Sequence, residues 1–114
     1  MIKTRLTETF VKQLNAIQDY IRDEYQAPYT ALRVRKAVEK GIRQLQNSPS
    51  LGQQLGLIFP DISSQYQPYQ RYKVGTYILI YHLNKAQGIL YVDALFHHLQ
   101  NYQSLFTDNG VKEL

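Results

Sequence analysis

The chain has 114 residues, and 13 lysines and arginines against 9 aspartates and glutamates give it a formal net charge of +4. This length predicts a single domain, residues 1–114, with a hydrophobic core of its own. The lack of cysteine excludes disulfides, thiolate metal sites and thiol catalysis. Because no export leader or apolar stretch of about 20 residues is present, we expect a cytoplasmic protein without a membrane partner.

The first part of the chain has helical periodicity after a short alternating strand at residues 2–6. Thr7 is a suitable N-cap for a helix that should fade near Tyr25, and Pro28 fits the first turn of a second helix. Two helices with so short a connection should pair as an antiparallel hairpin. Apolar residues recur every three or four positions in both: Phe10, Leu14, Ile17 and Ile21 in the first, and Ala31, Val34, Val38, Ile42 and Leu45 in the second.

The rest of the chain predicts an ordered loop and then a sheet. Prolines and glycines recur in residues 48–68, which is typical of a loop, but the apolar stretch 55–59 argues against a solvated linker. Residues 69–74, 77–83 and 89–95 favour strands joined by short turns, and residues 97–106 a final short helix. We therefore predict an α+β fold, with an N-terminal strand and helical hairpin packed on an antiparallel β-sheet meander and a short C-terminal helix.

The second helix carries a concentration of positive charge. Five basic residues and a single acidic residue, Glu39, occur within eleven residues. This cluster is typical either of a surface that binds nucleic acid or an acidic protein, or simply of a solvated helix face. The bases are Arg33, Arg35, Lys36, Lys40 and Arg43.

The predicted sheet also gathers residues suited to phosphodiester chemistry. Cleavage of RNA without a metal needs a base for the 2′-hydroxyl, an acid for the 5′-oxygen and cations for the developing charge. Histidine serves either proton step near neutral pH, although a histidine pair at a strand end is also common as a structural feature. The candidates are Tyr69, Arg71 and Lys73 on one strand face, with His97, His98 and Tyr102 beyond the last strand.

We do not expect a metal site. The imidazoles are those of His82, His97 and His98, and Asp93 is the nearest acid. Adjacent histidines on a strand point to opposite sides, and the helical spacings typical of zinc sites do not occur.

The order of these elements and four segments within them resemble the RelE/ParE superfamily of bacterial toxins from type II toxin–antitoxin modules. The segments are the first-helix pattern at 10–21, the end of the second helix at 42–52, the basic strand, glycine turn and tyrosine-containing strand at 69–81, and the last strand with its tail at 89–102. The resemblance covers residues 1–106 and implies a RelE-like fold without a cofactor.

The resemblance implies a toxin held silent by a cognate antitoxin. Many such toxins are metal-independent endoribonucleases that cleave messenger RNA, usually on the ribosome, whereas the ParE branch inhibits DNA gyrase without nuclease activity. The roles that the resemblance implies can be assigned by position. Arg71 and Lys73 would bind the scissile phosphate, with Tyr69 nearby. His97 and His98 would act as acid or phosphate ligand, and Tyr102 would stack on a base or assist proton transfer. The apolar residues 55–59 are a candidate for antitoxin cover, and equally a candidate for packing on the protein's own core.

Two positions depart from the pattern of the ribonucleases. Ile78 stands where many members have arginine, and His98 stands where the terminal pair commonly ends in arginine. Histidine is a proton donor but a poorer fixed charge near pH 7. We therefore favour a nuclease that uses histidine, with a gyrase-type toxin as the alternative; a weakened relative or a plain binding domain stays open.

Overall fold

A computed structural model describes residues 2–107. The chain order is strand β1 (Lys3–Leu6), helices α1 (Glu8–Glu24) and α2 (Pro28–Asn47), strand β2 (Gln53–Gln54), the short helix α3 (Leu55–Ile58), and strands β3 (Gln70–Val74), β4 (Tyr77–Asn84) and β5 (Ile89–His97). Single turns of 3₁₀ helix occupy Pro49–Leu51, Ser64–Tyr66 and Tyr102–Phe106.

The five strands form one mixed sheet in the order β1-β5-β4-β3-β2. The predicted antiparallel meander is confirmed in β3, β4 and β5. The N-terminal strand extends it as an edge strand parallel to β5, and two residues of the 48–68 segment add β2 at the opposite edge. The α+β prediction is therefore confirmed, with a sheet wider than the meander alone.

The helical hairpin packs on one face of this sheet. The predicted N-cap is confirmed, because Thr7 Oγ1 accepts the backbone N–H of Phe10 at 3.2 Å. The same hydroxyl donates to the backbone carbonyl of Asp93 at 2.9 Å, which fixes the start of α1 against β5. The apolar stripes of both helices bury Phe10, Leu14, Val38 and Leu45 against β4 and β5.

The other sheet face is covered by the 48–68 segment and the C-terminal 3₁₀ helix. Leu55, Ile62, Ile78, Phe96 and Phe106 belong to this second core cluster. The apolar segment 55–59 is thus split between core and surface, since Leu55 is buried while Leu57 is 83% exposed. The predicted C-terminal helix is confined to one 3₁₀ turn, Tyr102–Phe106, because β5 continues to His97 before the chain turns.

Within residues 2–107, no helix combines the length and the apolar composition that crossing a bilayer requires.

Candidate functional site

A cleft of about 470 Å³ opens at the β3 side of the sheet. The segment after α2, strand β3, the start of β4 and the chain beyond β5 all contribute to its walls. Four of the predicted site residues lie in it, and its described lining contains no aspartate or glutamate. The lining residues that matter for chemistry are Gln53, Arg71, Lys73, Ile78, His98 and Tyr102.

The alternation of β3 explains why two cations face the cleft. Tyr72 and Val74 pack against the core beneath the helices. Successive side chains of a strand point to opposite faces, so Arg71 and Lys73 project from the other side. Lys73 is exposed at this surface, whereas Arg71 is partly buried. The predicted pairing of these two cations on one strand face is present in the structure.

The guanidinium of Arg71 is held by three neighbours. Its Nη1 donates to the hydroxyl oxygen of Tyr102 at 2.7 Å, and its Nε donates to Gln53 Oε1 at 3.1 Å. The guanidinium carbon lies 5.4 Å from the ring centroid of Phe59. None of these groups carries a negative charge, so the positive charge of Arg71 is fixed in place without being neutralised.

Close packing against Tyr81 shapes the wall that carries Gln53. The hydroxyl of the buried Tyr81 donates to the carbonyl of Pro49 at 2.6 Å and accepts the N–H of Gly52 at 2.9 Å. A Cβ at position 52 would lie 2.5 Å from both the carbonyl oxygen of Arg71 and the Tyr81 hydroxyl, so only glycine fits. Burial raises the pKa of Tyr81, which keeps this hydroxyl neutral.

The Thr76 carbonyl and the ring of His97 orient the imidazole of His98. The backbone N–H and the ring Nδ1 of His98 lie 2.8 and 3.0 Å from the carbonyl oxygen of Thr76, and the rings of His97 and His98 stack with centroids 4.7 Å apart. Because a carbonyl only accepts hydrogen bonds, Nδ1 must be the donor. In the neutral ring the lone pair then resides on Nε2, which is the tautomer that a general base requires.

The ring of Tyr102 belongs to the core, and its hydroxyl to the cleft. Tyr102 is 7% exposed; its ring stacks on Phe96 with centroids 5.6 Å apart and meets Phe59 edge-on at 6.0 Å. A nucleobase therefore has no free ring face to stack on, contrary to one of the two roles that the resemblance implied. The hydroxyl, which accepts from Arg71, is the part suited to chemistry.

The structure does not bring His97 into the cleft. It is the last residue of β5, paired with Tyr77, and its ring meets that of Tyr77 edge-on at 5.6 Å. Since Phe96 packs in the second core cluster, alternation along the strand directs His97 to the helix side of the sheet.

Tyr69 also lies outside the cleft. It precedes the first residue of β3, and its ring stacks on His82 with centroids 4.3 Å apart. Tyr69 borders a separate cavity of about 190 Å³ beside Asp93. Burial, with the charge of Asp93, raises the pKa of Tyr69 to about 12.

Ile78 has an apolar environment. It is 5% exposed, packs in the second core cluster and forms part of the cleft wall. The cleft therefore has an apolar surface at the position where the resemblance to the ribonucleases implied an arginine.

Sequence reasoning missed Gln53 and Phe59, which hold Arg71. Gln53 lies on a strand of two residues, and Phe59 follows a four-residue helix. Neither segment is long enough to show a periodic pattern, and only contact with β3 and the C-terminal turn gives these side chains a role.

His82 and Asp93 form a second constellation on the same sheet face. His82 Nδ1 lies 2.7 Å from Asp93 Oδ2, and the His82 ring lies between the rings of Tyr69 and Tyr91. Burial raises the pKa of Asp93, against the lowering effect of its hydrogen bond to His82. The described residues, 2–107, contain no group of three or more His, Asp or Glu side chains that could hold a metal.

Comparison with known proteins assigns the family. Residues 4–102 match the family described as "ParE toxin of type II toxin-antitoxin system, parDE". No curated protein matches the chain.

Two solved structures share the fold. One is the chromosomal ParDE toxin–antitoxin system of P. aeruginosa, with a TM-score of 0.65, 13% identity, and coverage of 85% of this chain and 96% of that one. The other is the RelBE2 toxin–antitoxin complex of Mycobacterium tuberculosis, with a TM-score of 0.56, 18% identity, and coverage of 84% and 96%. The resemblance to the RelE/ParE superfamily is confirmed, and the chain belongs to the ParE toxin family of type II toxin–antitoxin systems.

Proposed function

We propose that this toxin is a metal-independent endoribonuclease that cleaves messenger RNA in the cytoplasm and so arrests translation. The observation that carries the proposal is the convergence of Arg71, Lys73, His98 and the Tyr102 hydroxyl in one cleft whose described lining has no acid. A cleft of this charge favours a phosphodiester, and its imidazole and phenol supply the two proton-transfer groups.

The geometry suggests a role for each group. His98 Nε2 takes the proton of the 2′-hydroxyl while the O2′–P bond forms, and the Tyr102 hydroxyl gives its proton to the 5′-oxygen as the P–O5′ bond breaks. Arg71 stabilises the resulting phenolate, and Arg71 with Lys73 neutralises the phosphorane-like transition state. The products are a 2′,3′-cyclic phosphate and a 5′-hydroxyl, and proton exchange with water then resets His98 and Tyr102.

A cognate antitoxin is the proposed protein partner. The two solved structures of similar fold are toxin–antitoxin systems, which supports such a partner for this chain. Leu57, 83% exposed beside the buried Leu55, offers an apolar side chain that an antitoxin segment would cover.

The alternative is a ParE-type toxin that inhibits DNA gyrase and does not cleave RNA. Two observations favour it: the matching family is that of ParE, and the chain lacks the arginine that many ribonuclease members have where Ile78 stands.

Two assays on the purified protein separate these functions. In a reconstituted translation system, the nuclease predicts cut messages whose 5′-hydroxyl ends are mapped by primer extension, and whose other fragments end in a cyclic phosphate. In a supercoiling assay with purified gyrase, it predicts no inhibition. If the message stays uncut and supercoiling is lost, the protein is a gyrase inhibitor and not a nuclease.

A further inference from the structure

The positive charge of α2 is concentrated on one narrow stripe. Its members follow one another at intervals of three, four and three residues, which places them within a single quadrant of the helix surface. Over ten residues the stripe runs about 15 Å along the helix. The four stripe residues, all exposed, are Arg33, Lys36, Lys40 and Arg43.

The stripe differs from the other charged surfaces of the helical hairpin. On α1, Lys12 pairs with Glu8 at 2.9 Å and Arg22 pairs with Asp19 and Asp23 at 3.0 and 2.9 Å. On α2, Arg35 faces Glu39 at 4.0 Å and donates to Gln18 of α1. Among the ion pairs of residues 2–107, none involves a stripe residue.

The charges of the two helices are also segregated. Helix α1 carries four acids and two bases, whereas α2 carries five bases and one acid. Mixed charges are enough to keep a helix face soluble. A row of unpaired cations instead creates a positive field that concentrates an anionic polymer beside the helix.

The stripe lies on the outer side of α2, opposite the buried side that carries Val38. Its Arg33 end comes nearest to the cleft, because Arg33 borders a cavity together with Gly75 and Thr76 of the turn between β3 and β4. The carbonyl oxygen of Thr76 lies 3.0 Å from Nδ1 of His98, which lines the cleft. A strand that leaves the cleft at His98 therefore reaches the stripe by passing around this turn.

We infer that the stripe is a second binding site, which holds the phosphate backbone of the single-stranded RNA whose scissile bond occupies the cleft. The inference rests on the proposed function, because it takes RNA as the polymer. Four cations over about 15 Å suit successive phosphates of a strand, and unpaired lysines and arginines give up no ion pair when they bind one.

The test measures binding without cleavage. The probe is a 20-nucleotide 2′-O-methyl RNA, which has no free 2′-hydroxyl and cannot be cut by the proposed chemistry. Affinity is measured against salt concentration for the wild type and for Lys36→Gln/Lys40→Gln. Loss of two phosphate contacts should weaken binding and flatten the log–log salt slope by about 1.4, at about 0.7 for each contact to a single strand.

The matched control is Lys12→Gln/Arg22→Gln, which removes two positive charges from α1 that already face carboxylates. Its affinity and salt slope should stay close to those of the wild type. Thermal melting of both double variants confirms that neither has lost its fold.

Several outcomes would overturn the inference. They are a wild type that does not bind the probe, a stripe variant with the wild-type slope, and a control variant that loses as much as the stripe variant. Tighter binding and a steeper slope with single-stranded DNA of the same sequence would overturn the assignment to RNA. Stripe-dependent binding by a protein that leaves translated message uncut would sustain the stripe as an RNA site and refute the nuclease.

Discussion

Arg71 and Tyr102, 31 residues apart in the chain, meet through a hydrogen bond of 2.7 Å from the guanidinium Nη1 to the phenolic oxygen. This contact ties β3 to the 3₁₀ helix that follows β5 and brings a fixed cation to an ionisable hydroxyl. If Tyr102 supplies the proton of the leaving group, Arg71 both orients the hydroxyl and stabilises the phenolate.

Tyr102→Phe should lower the rate of RNA cleavage by about 100-fold, the lower end of the range for loss of a general acid. The ring keeps its stacking on Phe96, so the melting temperature should change little. Cleavage of message in the reconstituted translation system measures the rate. Tyr91→Phe is the control, because the Tyr91 hydroxyl donates to Gln87 at an exposed site. Equal rates for both variants would remove Tyr102 from the reaction.

Tyr81→Phe should destabilise the fold by about 1–3 kcal/mol. The change leaves the Pro49 carbonyl and the Gly52 N–H without their partner at a residue that is fully buried. Urea denaturation gives the difference in free energy of unfolding. The matched Tyr91→Phe should stay within about 0.5 kcal/mol, as surface changes usually do. A Tyr81→Phe protein as stable as the wild type would show that the hydroxyl does not fasten this cleft wall.

Thr4→Val should raise the free energy of unfolding by about 1 kcal/mol. The hydroxyl of Thr4 is buried in β1 and has no hydrogen-bond partner among the described residues. Valine has nearly the same shape, suits a strand and removes the unsatisfied polar atom. Thr9→Val, at an exposed position in the first turn of α1, is the control. Destabilisation by Thr4→Val would reveal a partner for this hydroxyl.

Asp93 should make the fold less stable as the pH rises through its folded-state pKa. Burial raises that pKa above the usual 3.8, against the opposing effect of His82. The unfolded chain therefore loses this proton at a lower pH than the folded protein does, so raising the pH from about 4 favours unfolding. Compared with Asp93→Asn, the wild type should lose stability across this window in urea denaturation at a series of pH values. A relative gain with rising pH would mean that the His82 contact outweighs burial.

The helices and the meander were predictable because their patterns are local and long. The apolar patterns repeat over about three turns of α1, residues 10–21, and about four turns of α2, residues 31–45. The run that starts at Tyr77 is too rich in β-branched and aromatic residues for a loop. The parallel pairing of β1 with β5 joins residues 86 positions apart, as Lys3 with Ile89 shows. No local pattern encodes such a contact.

Part of the site was also predictable, because it depends on a local pattern. Alternation along β3 brought Arg71 and Lys73 to one face, as expected. The assignment of the histidines depended on where β5 ends. Because the strand extends to His97, that ring turns toward Tyr77 and His98 alone reaches the cleft. Gln53 and Phe59 carry no sequence signal, since they hold Arg71 only through tertiary contact.

The most direct test of the cleft as an active site compares the two neighbouring histidines. His98→Ala and His97→Ala remove the same group one residue apart, but only His98 lines the cleft. In the reconstituted translation system, we predict that His98→Ala loses cleavage of message by about 100-fold or more, while His97→Ala stays within a few-fold of the wild type. Full cleavage by His98→Ala, or loss confined to His97→Ala, would contradict the account.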